Sequence, residues 1–159
     1  MLKKFFNKKE ELSWIVPLTG TLKPITEMPD PVFSQKMIGD GFCIEPTIGK
    51  VYSPIKGEIV SIFPTKHAIG IREDNGYEIL IHFGIDTVNL NGEGFNLYVN
   101  IGDKIDAGDL LLDIDTDSIK NKVPSLTTAV IITNLNGKNI RLSKLGEVKQ
   151  GETIILNIY

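Results

Sequence analysis

Two histidines occur in the 159-residue chain, and both stand where a nucleophilic ring nitrogen could be used. His82 lies in Ile81-His82-Phe83-Gly84-Ile85-Asp86-Thr87-Val88, at the close of an apolar run. His67 comes fifteen positions earlier, in Thr65-Lys66-His67-Ala68-Ile69. Neutral imidazole is a good nucleophile near pH 7, and its ordinary pKa of about 6.5 is easily moved by burial or a nearby charge. Histidine therefore suits a reversible carrier of a transferred group. A lone histidine on an apolar strand is more often a packed residue whose nitrogens find backbone partners, but two in such settings change that balance. In Tyr77-Glu78-Ile79-Leu80-Ile81-His82-Phe83, strand alternation puts Tyr77, Ile79, Ile81 and Phe83 on one face and Glu78, Leu80 and His82 on the other. The imidazole is thus expected off the most apolar face, with its tip accessible at a shallow site.

Other chemistries find less support. There is no Gly-rich loop ending in Gly-Lys-Ser/Thr, and Gly92-Glu93-Gly94-Phe95-Asn96-Leu97 lacks the third glycine and the strand-to-helix setting of a dinucleotide fingerprint. Nucleotide is therefore not the expected donor, and no cofactor is expected. Two histidines without a His-Glu-x-x-His helix or a cysteine cluster do not make an intrinsic zinc site. Zinc at His67 and His82 would need a third ligand from Asp86 or a partner. Cys43, the single cysteine, cannot form an internal disulfide, and in Gly41-Phe42-Cys43-Ile44 it has the setting of a buried small apolar residue.

The elements that position the pair follow from the punctuation of the chain. Glycine and proline divide it from Ile15 onward into short Ile- and Val-rich segments, a β-sandwich or barrel rhythm. Strands are expected at 15–16, 20–25, 42–46, 51–53, 57–63, 68–73, 78–83, 110–115, 128–133 and 153–158. Short helical turns are expected at 30–36, 89–92 and 117–121. The segment Pro17-Leu18-Thr19-Gly20-Thr21-Leu22 parallels Pro54-Ile55-Lys56-Gly57-Glu58-Ile59, and Val99-Asn100-Ile101-Gly102-Asp103 parallels Val148-Lys149-Gln150-Gly151-Glu152. These recurrences predict duplicated hairpin units around one core. Biotinyl and lipoyl carrier domains share such a pattern, but no Met-Lys-Met or Asp-Lys-Ala tripeptide is present to offer a carrier lysine.

Size and composition agree with one all-β, single-domain antiparallel sandwich or flattened barrel over residues 15–159. A hydrophobic fraction of 42% and a charged fraction of 23% are ordinary for a globular chain. The net charge of −3 disfavours a general nucleic-acid binder. No apolar run has the length of a membrane span, and the opening Met1-Leu2-Lys3-Lys4-Phe5-Phe6-Asn7-Lys8-Lys9 lacks the features of a secretory signal, so a cytoplasmic protein is expected. Residues 1–14 are expected to be a flexible segment. As a helix its Leu2, Phe5 and Phe6 among lysines would be amphipathic enough to touch anionic lipid, against the plainer reading of a solvated terminus.

The histidine pair, in this order and these settings, resembles the glucose-type enzyme IIA of the bacterial sugar phosphotransferase system, over a span from about Ile15 to the C-terminus. The resemblance implies a phosphohistidine carrier. His82 would accept a phosphoryl group on Nε2 from the small carrier protein HPr and pass it to a cysteine on the IIB domain of a sugar permease. His67 would hold the phosphoryl oxygens, Thr65 would place a hydroxyl beside the pair, and the backbone near Gly84 would accept from the other nitrogen of His82. Val32, Phe33, Met37, Ile38, Phe63 and Val88 would form an apolar docking patch, with Asp30 and Asp86 facing basic residues of the partners. Leu80, Asn136 and Ile140 depart from the better-studied members and put contacts with regulatory proteins in question, not the carrier chemistry. Two readings of other classes stand beside this one: a metal-dependent hydrolase on a related β scaffold, with His67, His82 and Asp86 as ligands, and a binding module without chemistry.

Overall fold

Strand alternation broken by turn residues resolves into fourteen strands in the computed structural model, which describes residues 9–159. In chain order β1 (Glu10–Ile15), β2 (Gly20–Pro24) and β3 (Asp40–Pro46) are followed by β4 (Lys50–Tyr52), β5 (Gly57–Ile62), β6 (Ala68–Glu73) and β7 (Glu78–His82). Then come β8 (Phe95–Leu97), β9 (Lys104–Ile105), β10 (Leu110–Ile114), β11 (Thr128–Ile132), β12 (Ile140–Leu142), β13 (Gly146–Val148) and β14 (Thr153–Ile158). The helices are single turns, α1 (Pro31–Ser34) and α2 (Thr116–Ile119), with 3-10 turns at Ile25–Glu27 and Thr87–Leu90. The expected helical turns are thus all present, shifted by a residue or two.

All strand pairs are antiparallel and lie in three open sheets, so the architecture is a sandwich and not a closed barrel. The large sheet has the order β13-β2-β3-β11-β7-β6-β5-β9, and two three-stranded sheets have the orders β1-β14-β12 and β4-β10-β8. The duplication is visible in this order. Strands β4 to β10 are contiguous in sequence and supply one three-stranded sheet with half of the large one, while β1–β3 and β11–β14 supply the other halves. Two reciprocal hydrogen bonds join the units, Ile15 N to the Pro54 carbonyl and Tyr52 N to the Pro17 carbonyl, each at 2.9 Å. Gly20 and Gly57 occupy matching places: a Cβ on either would come within 2.1 or 2.2 Å of a carbonyl oxygen on the neighbouring strand.

The second expected repeat is shifted. Gly151 N donates to the Val16 carbonyl and Gly108 N to the Ser53 carbonyl, so Val148–Glu152 matches Ile105–Asp109 and not Val99–Asp103. The false parallel has a physical origin. In all three turns the amide of the first residue donates at 2.8 Å to the carboxylate three positions on (Asn100 to Asp103, Asp106 to Asp109, Lys149 to Glu152). In each, the acidic residue's amide in turn donates back to the carbonyl of the first. A Gly-acid pair is selected wherever that turn is needed.

A further correction concerns the N-terminus. Glu10–Trp14 is not a flexible tail but most of β1, paired with β14 from Glu10 opposite Ile158 to Ile15 opposite Thr153. Alternation buries Leu12 and Trp14. Residues 1–8, with Leu2, Phe5, Phe6 and every lysine of the expected amphipathic segment except Lys9, lie outside the described residues. The core splits by strand parity. Phe42, Ile44, Ile69, Ile71, Ile79, Ile81, Val130 and Ile132 join Trp14, Leu112 and Leu156 in the main cluster, whereas Cys43, Ala129 and Ile131 turn to the opposite face. There they meet Ile25, Met28, Phe33 and Ile85 in a small second cluster, against which Leu80 packs. The chain from the Ile25 turn through α1 therefore covers the face of the large sheet onto which His82 projects.

Candidate functional site

His82 is the last residue of β7, a central strand flanked by β6 and β11. Its direct cross-strand partners are Ala68 and Ala129, whose single methyl groups leave the ring room on that face. His67 immediately precedes β6, after a turn in which Lys66 N donates to the Phe63 carbonyl at 2.7 Å and Lys66 adopts left-handed backbone at φ 63°. The His67 carbonyl accepts from Phe83 N at 2.8 Å, which ties the two histidine segments together. The two imidazoles meet edge to face with centroids 4.8 Å apart. Phe33 lies 5.0 Å from the His82 ring and Phe63 5.3 Å from the His67 ring.

The hydrogen bonds assign one tautomer firmly. His82 Nδ1 is 3.0 Å from the Gly84 carbonyl oxygen. A carbonyl can only accept, so Nδ1 carries the proton and the lone pair of the neutral ring is on Nε2. The carbonyl is presented by Gly84 at φ 73°, where an added Cβ would lie 2.6 Å from Thr87 Cγ2 and 3.0 Å from the Ser125 carbonyl oxygen. His67 Nδ1 is 2.6 Å from Thr65 Oγ1, a group able to donate or accept.

Electrostatics keep both rings neutral. His67 is 3% exposed, and burial, with the neighbouring His82 second, lowers its pKa to about 4. Burial also lowers the His82 pKa, opposed by its hydrogen bond to Gly84 and by the Asp30 carboxylate. Neutral His82 with a bare Nε2 is a nucleophile at pH 7.

The expected docking residues divide. Val32, Met37, Ile38, Phe63 and Val88 are exposed, from 39% for Val32 to 66% for Met37. Met37 and Ile38 line a groove with Leu80, which shares the strand face of His82 two residues away. Phe33 departs from the expectation: it is 4% exposed, a wall of the His82 pocket and part of the second cluster, not a surface residue. Asp30 spends one oxygen as the N-cap of α1, accepting from Val32 N at 2.9 Å. Asp86 is exposed at φ 58°, at the start of the second 3-10 turn. Among the described residues no group of three or more His, Cys, Asp or Glu side chains is arranged to hold a metal ion, so the ligand set His67, His82 and Asp86 is not assembled.

Sequence reasoning missed the floor beneath the histidines, built from Ile25, Met28, Ile85, Ala129 and Ile131. The available signal was parity: residues alternating with the main-core positions of β3 and β11 are also apolar, which marks strands buried on both faces.

Residues 12–138 match the family model described as the phosphoenolpyruvate-dependent sugar phosphotransferase system, EIIA 1. The chain belongs to this family. It is 48% identical over 151 residues to the PTS system glucose-specific EIIA component of Halalkalibacterium halodurans, covering 94% of this chain and 87% of that one. The protein of the same name from Staphylococcus aureus is 44% identical over 163 residues, covering 99% and 98%. Among solved structures, the glucose permease IIA from Mycoplasma capricolum superposes with a TM-score of 0.87 at 43% identity, covering 96% of this chain and 97% of that one. As an EIIA, the chain is a phosphoryl-carrying component of the sugar phosphotransferase system. No helix among the described residues is long and apolar enough to cross a membrane.

Proposed function

We propose that His82 is the phosphoryl acceptor and that it exchanges the group between HPr and the IIB domain of a sugar permease, in the cytoplasm. The observation that carries this reading is the bond from His82 Nδ1 to the Gly84 carbonyl, which leaves Nε2 bare beside a second, buried imidazole. In the accepting step the Nε2 lone pair forms a bond to phosphorus as the phosphorus–nitrogen bond of phosphohistidine on HPr breaks, and the HPr ring leaves with that electron pair. In the donating step a IIB cysteine thiolate attacks phosphorus and the pair returns to Nε2. Both are in-line transfers governed by positioning and by stabilisation of the equatorial oxygens. With Thr65 donating its hydroxyl proton to His67 Nδ1, His67 carries its own proton on Nε2 and offers it to those oxygens. Burial keeps His67 a neutral donor, so it does not trap the phosphate as a fixed cation would.

Val32, Met37, Ile38, Phe63 and Val88 form the apolar docking surface in this reading, and Asp86 contributes to an acidic rim. Such a surface serves two unlike partners without strict shape matching. The names of the relatives make glucose the first sugar to test. Incubation with phosphoenolpyruvate, enzyme I and HPr should add one acid-labile phosphoryl group to the wild-type chain and none to His82→Ala. Full labelling of His82→Ala, with its fold verified by circular dichroism, would overturn the assignment.

A further inference from the structure

We propose that Thr87 is a positioning residue for phosphoryl transfer, holding the backbone that fixes the tautomer of His82. The inference rests on His82 being the acceptor. Thr87 is fully buried, and its hydroxyl donates to the Phe83 carbonyl at 2.6 Å. That carbonyl belongs to the Phe83–Gly84 peptide, while the Gly84 carbonyl that receives His82 Nδ1 belongs to the next peptide. The second plane is held from its other side by Ile85 N, which donates to the Ser125 carbonyl at 2.9 Å. Gly84, at φ 73°, is the pivot between them. Thr87 thus pins the first plane and Ser125 the second, and together they aim one carbonyl at one ring nitrogen. Phe83 N donates to the His67 carbonyl, so the peptide group on the other side of Phe83 is anchored to the helper histidine.

Without the Thr87 hydroxyl the Phe83–Gly84 plane can turn at the glycine, and the Gly84 carbonyl, then held by the Ile85–Ser125 bond alone, is aimed less sharply at the ring. His82 then exchanges between its two neutral tautomers, of which one has its proton on the attacking nitrogen. The nucleophile is lost by population, not by removal.

The test uses the full chain as wild type, Thr87→Val and Thr87→Ser, with 15N NMR of the imidazoles read before any partner is added. Wild type and Thr87→Ser should show His82 protonated at Nδ1 and bare at Nε2. In Thr87→Val the two nitrogen shifts should converge toward a tautomer average, and acceptance from phospho-HPr should slow about twofold, because about half of the rings then carry their proton on the attacking nitrogen. Thr87→Ala, which sets no methyl against the Phe83 carbonyl, carries the same expectation should the valine variant fail to fold. A folded hydroxyl-free variant that keeps the wild-type nitrogen pattern would overturn the proposal. So would a Thr87→Ser chain that loses the pattern as fully as Thr87→Val. The nitrogen shifts need no phosphoryl donor, so they stand or fall separately from the identity of the acceptor, which His82→Ala tests.

Discussion

Replacing Phe33 by alanine should act on stability and on the acidity of His82 together, because one ring serves both. Phe33 is 4% exposed and packs with Ile25, Met28, Cys43, Ile85, Ala129 and Ile131, its ring 5.0 Å from that of His82. Truncation of a buried phenylalanine costs about 3–5 kcal/mol. The second cluster is small and flanked by flexible Met28, which can slump into part of the space, so the lower end, about 3 kcal/mol, is expected. Burial is the main reason the His82 pKa is lowered. Water entering beside the ring should raise it toward the ordinary value of about 6.5. Acceptance of phosphate would then change little at pH 8, where the ring is neutral in either protein, and fall more steeply in the variant below pH 7. Urea denaturation gives the first quantity and NMR titration of the imidazole carbon-bound protons the second. A loss under about 0.5 kcal/mol, within the range of ordinary surface changes, or a variant whose His82 titrates as in the wild type, would refute the view of Phe33 as the wall of the pocket.

His67, with its pKa lowered to about 4, contributes stability that is complete above its unfolded value near 6.5 and is lost as pH falls through 4. Allowing for solvent at the pocket mouth, His67→Gln should remove about 2 kcal/mol of the stability lost between pH 7 and pH 4, measured by urea midpoints across that range. Glu73 has the opposite sign: burial, then Asp74 and Glu10, push its pKa to about 7, and its Oε2 is sealed without a hydrogen-bond partner. The fold favours its protonated form, so stability is complete below about pH 4.5 and lost as pH rises through 7, and Glu73→Gln should gain about 1–2 kcal/mol at pH 8 and little at pH 4 in thermal or urea denaturation. Val88→Lys should weaken binding of HPr and of the IIB domain alike by about 2 kcal/mol in titration calorimetry, since it sets a charge into a desolvated patch. Asp86→Asn should slow association and flatten its salt dependence in stopped flow while leaving dissociation nearly unchanged.

What the sequence made legible was whatever local alternation and turn chemistry control. The face assignment of β7 holds residue by residue, with Ile79, Ile81 and Phe83 buried and Leu80 and His82 less so. The backbone near Gly84 as acceptor for the second nitrogen of His82 is an implication of the family resemblance, and Nδ1 lies 3.0 Å from that carbonyl oxygen. Strands β8, β9, β12 and β13 escaped notice because two or three residues are too few to display a period. The first strand escaped because Glu10-Glu11-Leu12-Ser13-Trp14 has only two strongly apolar residues, and it is ordered by pairing with β14 at the far end of the chain. Phe33 reads as a docking residue only through the family resemblance, and the single turn of Pro31–Ser34 is too short for its sequence to show which face is buried. The nearness of the two histidines depends on β6 and β7 being adjacent, which a hairpin makes easy. Their shared floor depends on β3 and β11, whose side-chain parity is visible but whose place in the sheet is not.

The nesting of one unit inside the other bears on the order in which the chain can become structured during synthesis. Strands β4 to β10 are contiguous, and each has a paired neighbour within that stretch. The outer unit must wait, because β1 pairs with β14, the strand farthest from it along the described residues. Strand β7 then has β6 at one side early and lacks β11 at the other until some fifty residues later. Long-range pairings of this kind are entropically expensive and form late. A nascent chain that has already folded its inner unit would therefore present His82 on an open sheet edge, with Ala129 and Ile131 still missing from the floor. Pairing with β11 then closes β7 on that side and adds Ala129 and Ile131 to the floor.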